Sequence, residues 1–168
     1  MPQDSADGVI VTHGGRFGGY GLYLLKGKPV FTWKLPGLRR AKWEGPEALS
    51  PGKHTIAYDF KYDGLGFATL AFNNLSGIGR AGTGTLSIDG KAVASRLMER
   101  TIPMVLPWNE TFDIGSDTGA PADDKDYQVP FAFNGKIDQL TITVEPPVLT
   151  EEDKKKLVEA ARAAQDGK

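Results

Sequence analysis

The sequence predicts an all-β fold, in which two antiparallel sheets pack as a β-sandwich and one short α-helix follows at the C-terminus. Three observations predict it. Apolar and polar residues alternate with a period of two up to about Val144. Glycine is abundant, with 21 residues in a chain of 168, against a typical share of about 7 %. Together with 11 prolines, these glycines divide the chain into many short segments joined by turns.

The clearest strand runs from His54 to Tyr62, and its apolar side chains share one face: Ile56, Tyr58, Phe60 and Tyr62. The residues between them are mostly polar, which is the pattern of a half-buried antiparallel strand. Two further segments alternate in the same way, one through Phe31, Trp33 and Leu35 and the other through Leu140, Ile142 and Val144. Counted in this way, the chain contains roughly ten short strands.

Turn residues lie between the predicted strands. Gly27-Lys28-Pro29 separates two apolar segments and indicates a hairpin. Asp89-Gly90 is the strongest hairpin signal, because both central residues of the favoured two-residue turn need a positive φ. The sequence therefore predicts tight connections between neighbouring antiparallel strands.

The pattern changes after Pro146-Pro147. Thr150 is a suitable helix N-cap, and the acidic residues that follow it favour the positive end of a helix dipole. Apolar residues then recur at helical spacing: Leu157, Ala160, Ala161 and Ala164. The predicted organisation is a disordered or linker N-terminus at 1–6, one sandwich domain at 7–147, and a helix with its tail at 148–168.

Composition argues against several classes of protein. The 20 basic and 21 acidic side chains give a net charge of −1, so no electrostatic signature of nucleic-acid binding is present. Cysteine is absent, which rules out disulfides and thiol nucleophiles. The polar N-terminus has no signal-peptide pattern, and no segment approaches the ~20 apolar residues of a membrane span. We expect a soluble protein.

An acidic loop is the strongest candidate for a metal site. It spans Gly115–Tyr127 and carries four carboxylates: Asp117, Asp123, Asp124 and Asp126. Calcium takes six to eight oxygen ligands, and one loop of this kind can supply several of them. The spacing is not that of an EF-hand, so a solvated acidic loop is the competing interpretation. Calcium is the candidate cofactor.

Four residues are candidate ligand contacts. Arg16 lies within the glycine-rich segment 14–20, whose backbone amides could face an anion, although a bend between strands explains the same glycines. Trp43 and Trp108 lie beside Gly45-Pro46 and Pro107, which favours exposed positions near loops. Tyr127 closes the acidic loop. Trp33 shares a face with Phe31 and Leu35 and is expected in the core.

Catalytic motifs find little support. A G-x-G-x-x-G pattern starts at Gly77, but a strand follows it where a dinucleotide site needs a helix. His13 and His54 are the only histidines; no G-x-S-x-G motif is present, although a Ser–His–acid arrangement stays open. Glu44 and Glu47 could serve a glycosidase, but no strand pattern places two acids on one face.

Several ordered segments carry a resemblance to a known family. They are 7–23, 49–55, 60–66, 112–119 and 133–138. Together they resemble the C-terminal domain of large bacterial arylsulfatases, over about Asp7 to Leu157. The last segment is also similar to the closing strand of laminin-G-like and pentraxin-like jelly rolls.

This resemblance implies a concanavalin A-like jelly roll and a sulfatase catalytic domain as the partner, normally in the same chain. The sulfatase active site uses a Cys-x-Pro-Ser-Arg motif, which is absent here, so no catalytic residue is carried over. We therefore expect a non-catalytic accessory domain that packs on the hydrolase or extends its substrate contacts. The alternative is a free-standing, lectin-like module that binds carbohydrate.

Overall fold

A computed structural model describes residues 5–15, 18–35, 39–63, 81–99, 101, 111–145 and 150–166. These residues form two β-sheets and one helix, which confirms the predicted β-sandwich character. The strands are β1 (Gly8–Gly15), β2 (Gly18–Leu25), β3 (Lys28–Leu35), β4 (Arg39–Glu44), β5 (Ile56–Tyr62), β6 (Gly82–Ile88), β7 (Lys91–Met98), β8 (Phe112–Ile114), β9 (Ser116–Asp117) and β10 (Phe131–Ala132). Helix α1 spans Glu151–Asp166.

The large sheet has seven strands in the order β4-β3-β2-β1-β10-β9, with β8 paired to β1 beside β10. Consecutive strands β1 to β4 pair antiparallel, as predicted. The prediction of a wholly antiparallel fold is wrong at one place, because β1 pairs with β10 in parallel through Val9 and Ala132. The small sheet has the order β5-β6-β7.

Both predicted hairpins are present. Lys26 and Gly27, with φ of 50° and 79°, turn the chain from β2 into β3. Asp89 and Gly90, with φ of 50° and 80°, turn it from β6 into β7. Positive φ at both central residues is the requirement of the two-residue hairpin turn that matches strand twist. Here local sequence determines the local structure.

One face of the large sheet packs against the small sheet through aromatic side chains. Phe31 of β3 stacks on Tyr58 of β5 with ring centroids 3.4 Å apart, and Trp43 of β4 meets the edge of Tyr58 at 5.1 Å. The Trp43 indole donates to the carbonyl of Gly84 on β6 at 2.9 Å. A side chain at Gly84 would overlap both rings, because a Cβ there would lie 2.2 Å from the Tyr58 hydroxyl. We call Phe31, Trp43, Tyr58 and Gly84 the aromatic contact.

The opposite face of the large sheet is also buried. A core cluster joins strand residues to the chain between β9 and β10: Val9, Tyr23, Val30, Ala122 and Tyr127. Gly21 makes room for this cover, since a Cβ there would lie 3.0 Å from the Ala122 Cβ. Most residues of β1 and β2 are therefore buried on both faces. β5 shows the predicted one-sided pattern except at Phe60, which is 37 % exposed.

The predicted strand through Leu140, Ile142 and Val144 is wrong. Residues 136–145 are described and have no strand assignment. Ile142 is 57 % exposed and Val144 is 88 % exposed, so their alternation does not mark a buried face. Alternation with a period of two shows only which side chains share one side of the chain. Those side chains are buried only where another element covers that side.

The first described residues, which the prediction assigned to the N-terminal linker, contact the rest of the chain. Ala6 is buried, and its carbonyl accepts from the Gly27 amide at 2.9 Å. The Asp7 amide donates to the side chain of Asn134 at 2.9 Å. The side-chain amide of Asn134 also donates to the Ser5 carbonyl at 3.3 Å, so residues 5 and 6 both make hydrogen bonds, while residues 1–4 lie outside the described part of the chain.

The predicted C-terminal helix is present and begins after its expected N-cap. The Lys154 amide donates to the Thr150 carbonyl at 3.0 Å. Backbone contacts divide the chain into two compact units, one formed by Met1–Phe60, Gly84–Arg96 and Val105–Leu140 and the other by Lys61–Thr83, Leu97–Met104 and Thr141–Lys168. Within the described residues, no helix has the length and apolarity needed to cross a membrane.

Candidate functional site

Three cations line the outer end of β3 and β4, and we call Lys34, Arg40 and Lys42 the basic edge. Lys34 and Arg40 lie directly opposite each other in the β3–β4 register, and Lys42 lies opposite Thr32. Like charges at directly paired positions destabilise a sheet unless an anion compensates them. Carboxylates on this face of the sheet would therefore stabilise the paired cations.

The acidic loop, Gly115–Tyr127, supplies these carboxylates. Asp124 Oδ1 accepts from Lys34 Nζ at 3.1 Å and from Arg40 Nη2 at 2.7 Å, so one carboxylate oxygen bridges the two cations. Arg40 Nη1 also donates to Asp123. Lys42 Nζ lies 2.7 Å from Asp126 Oδ2. The partners are 83 to 90 residues apart in the sequence.

Burial makes one of these pairs more consequential than the others. The Asp123 side chain is 2 % exposed and that of Asp124 is 56 % exposed. Removing one partner of a buried ion pair leaves an uncompensated charge, whereas an exposed pair contributes about 0–1 kcal/mol. The Arg40–Asp123 pair is therefore the contact on which this site depends most.

Two tyrosines attach the loop beneath its charges. Tyr23 of β2 donates to Asp126 Oδ2 at 2.5 Å. Tyr127 donates to Asp117 Oδ2 at 2.6 Å, and its hydroxyl accepts from the Ala122 amide at 2.9 Å. The two rings meet edge to face at 5.1 Å. Both apolar packing and hydrogen bonds thus hold the acidic loop on the sheet.

The pKa directions follow from these contacts. Burial, followed by the hydrogen bond to Asp126, raises the pKa of Tyr23 well above its usual range. Burial also raises the pKa of Asp117, against the opposing effect of the Tyr127 hydroxyl. Hydrogen bonds from Lys34 and then Arg40 lower the pKa of Asp124 to about 2. Burial, followed by the hydrogen bond to Asp117, raises the pKa of Tyr127 in the same way, so both tyrosines stay neutral and act as donors at ordinary pH.

The predicted calcium ligands lie in one loop, but their oxygens face cations and hydroxyl donors. Asp123, Asp124 and Asp126 contact the basic edge, and Asp117 contacts Tyr127. Within the residues that the structure describes, no three acidic or histidine side chains are grouped to hold a metal ion. The calcium prediction gains no support from this geometry.

The predicted ligand contacts divide into two groups. The expectation that Trp43 is exposed near a loop is wrong: it lies in β4 and is 1 % exposed, because its ring fills the space between the sheets. Tyr127 is also buried, with its hydroxyl committed to Asp117. Arg16 and Trp108 lie outside the described residues. Trp33 is half-buried.

A second polar cluster joins Ser50, His54 and Asp89, which lie on two separate connections of the same unit. Sequence reasoning left a Ser–His–acid arrangement open but could not select its members. The sequence marked Asp89 only as a residue of the predicted hairpin turn, and its carboxylate accepts from the Thr55 amide, which is 34 residues away. The histidine that it meets is 35 residues away in the sequence.

Comparisons with protein-family models, with curated proteins and with solved structures return no significant match to this chain.

Proposed function

We propose that this chain is an accessory domain of an arylsulfatase-type hydrolase, with a concanavalin A-like jelly roll and no sulfatase chemistry of its own. The observation that carries the proposal is the commitment of the acidic loop to the sheet. Its four aspartates bind side chains of the basic edge or the buried tyrosines. A loop fastened in this way supports an architectural role.

The sequence resemblance supplies the partner. Two of the five segments that carry the resemblance, 7–23 and 112–119, contain β1 and most of β2, and then β8 and β9. These strands lie side by side in the large sheet, since β8 pairs with β1 along Val11 to His13. These two segments thus form one continuous part of the large sheet, which supports a shared architecture.

The test uses a bacterial arylsulfatase catalytic domain from which its own C-terminal domain has been removed. We expect the purified chain to release no product from an aryl sulfate, and to bind that truncated catalytic domain in calorimetry. The intact arylsulfatase, whose docking face is already covered, is the matched control and should not bind. Sulfate release by the chain alone, or absence of binding to the truncated domain, would refute the proposal.

A carbohydrate-binding module is the second candidate, and a specific row of side chains favours it. Phe112, His13, Tyr20 and Trp33 are in register across β8, β1, β2 and β3. His13 contacts both Tyr20 and Phe112 edge to face at 5.8 Å, and all four rings are partly exposed. Aromatic rings with polar tips suit contact with sugars at a partly wet surface.

Glycan-array binding tests this second candidate. Binding that disappears in Trp33→Ala and survives in Val144→Ala, which changes an exposed apolar side chain that is not part of the row, would support it. An array that stays silent, together with binding to the truncated sulfatase domain, would favour the first proposal.

A further inference from the structure

The cluster of Ser50, His54 and Asp89 forms a connected chain of polar groups. His54 Nδ1 lies 2.8 Å from Asp89 Oδ2, and His54 Nε2 lies 3.4 Å from Ser50 Oγ. Asp89 is fixed in turn, because its Oδ1 accepts from the Thr55 amide and its own amide donates to the Thr55 carbonyl, both at 2.8 Å. A hydroxyl, an imidazole and an orienting carboxylate in this order are the elements of an activated nucleophile.

The protonation state of His54 decides which partner its Nε2 serves. The amide of Thr55 and then the His54 ring lower the pKa of Asp89, so its carboxylate is charged and Nδ1 carries a proton. In the imidazolium, Nε2–H donates to the Ser50 carbonyl, which lies 2.9 Å away. In the neutral imidazole with Nδ1 protonated, Nε2 is an acceptor, and the Ser50 hydroxyl at 3.4 Å is a donor within reach, whereas the carbonyl has no proton to give.

The surroundings leave room for a reagent at this hydroxyl. Ser50 is exposed, whereas the His54 side chain is only 13 % exposed and is held in place. Gly52, two residues further on, has open space on its side-chain face, with no atom within 4 Å of an added Cβ. Lys53 is directed to Asp138 at 3.4 Å, so its charge is engaged elsewhere. The hydroxyl is therefore accessible and the base is oriented.

We propose that Ser50 is a nucleophilic acyl-acceptor site, with His54 as its general base and Asp89 as the residue that positions His54. The acyl donor is an activated carboxylic ester, such as an aryl ester. Ser50 Oγ forms a bond to the acyl carbon, and the ester C–O bond breaks so that its electron pair leaves with the aryloxide. The hydroxyl proton passes to His54 Nε2 and then to solvent.

The experiment treats the full chain with p-nitrophenyl acetate and locates the acetyl group by peptide mass spectrometry. We expect one acetyl group on Ser50, absent in Ser50→Ala. His54→Gln should slow the reaction by about 100-fold, the low end of the range for general-base assistance, because the site is open to water. Ser95→Ala is the matched control, since Ser95 is also exposed but its Oγ meets Thr85 Oγ1 at 3.2 Å.

The pH profile separates a positioning role of Asp89 from a structural one. Hydrogen bonds to Asp89 and then to the Ser50 carbonyl raise the pKa of His54, so the acetylation rate should rise with a midpoint above 6.5. Asp89→Asn should move that midpoint downward while keeping an acceptor for Thr55 and tolerance of positive φ. Circular dichroism of each variant verifies the fold.

Two results would overturn the proposal. Acetyl groups confined to lysines would show that Ser50 is not a nucleophile. Acetylation of Ser50 at an unchanged rate in His54→Gln would show that the imidazole is not its base. Neither result bears on the accessory-domain proposal, which is tested by aryl sulfate turnover and by binding.

Discussion

The two faces of the large sheet are closed in different ways. One face meets the aromatic contact, where rings from β3, β4 and β5 exclude water without charge. The other face meets the acidic loop, where apolar residues at the base give way to ion pairs at the edge. The comparison shows that a loop can cover a sheet face whose edge carries cations if it brings matching carboxylates, although this cover is less complete than the aromatic one: Asp124 is 56 % exposed and Trp43 is 1 % exposed.

Truncating the centre of the aromatic contact should have the largest effect. Trp43→Ala should lower the free energy of unfolding by about 3–5 kcal/mol, because it leaves a cavity and a Gly84 carbonyl without its donor. Urea denaturation followed by circular dichroism measures this loss. The control Val144→Ala, at an 88 % exposed position, should change stability by about 0.5 kcal/mol or less. Equal losses in the two variants would contradict the buried assignment of Trp43.

Removing the ion pair between Arg40 and the acidic loop should have the second largest effect on stability. Arg40→Met should cost about 3 kcal/mol in urea denaturation, because Asp123 then stays buried without its partner. Lys28→Met is the matched control, since Lys28 and Glu44 form an exposed pair at 3.8 Å that should contribute about 0–1 kcal/mol. A loss in Arg40→Met no greater than in the control would mean that the acidic loop is not fastened at this point.

Acid should weaken the charged face before the aromatic one. Asp124 has a folded-state pKa of about 2, below its ordinary value of 3.8. A lowered pKa stabilises the fold above the ordinary value, so this contribution is complete above about pH 4 and is lost as pH falls toward 2. The midpoint of urea unfolding should therefore fall over this range, and the fall should be smaller in Asp124→Asn. Identical profiles would show that Asp124 has no part in it.

Of these changes, the addition of calcium should have the smallest effect on the stability of the protein. Because the loop carboxylates already face Lys34, Arg40 and Lys42, we expect the same melting temperature in millimolar calcium and in chelator. A site occupied at 100 times its dissociation constant would instead add about 2.7 kcal/mol of stability. A rise in melting temperature with calcium that is absent in Asp126→Asn would contradict this expectation and would support a calcium site in the acidic loop.

The same comparison explains how much of the structure could be predicted from the sequence. The two hairpins and the apolar alternation of β3 and β5 depend on neighbouring residues, and all were predictable. The pairing of Lys34 with Asp124 joins residues 90 positions apart, and no local pattern specifies it. Trp43 was misplaced for a related reason, since flanking glycine and proline report the end of β4 but not what covers it.

The parallel pairing of β10 with β1 is another contact between distant segments that the sequence does not predict. β10 has only two residues, so its own sequence carries no usable period, and its place depends on Asn134 and Asp7 beside it. The Ser50, His54 and Asp89 cluster is also non-local, and a single sequence without spatial information could only leave it open. The turns and strand patterns of this chain can be predicted from neighbouring residues, whereas the contacts that join distant segments cannot.

A double-mutant cycle on Arg40 and Asp123 tests the central claim most directly, namely that charge pairing fastens the acidic loop to the sheet. The cycle compares Arg40→Met, Asp123→Asn and the double variant by urea denaturation. The account predicts that the two residues are coupled by about 2 kcal/mol, so the double variant is more stable than the sum of the single losses implies. Additive losses, with coupling near zero, would contradict it.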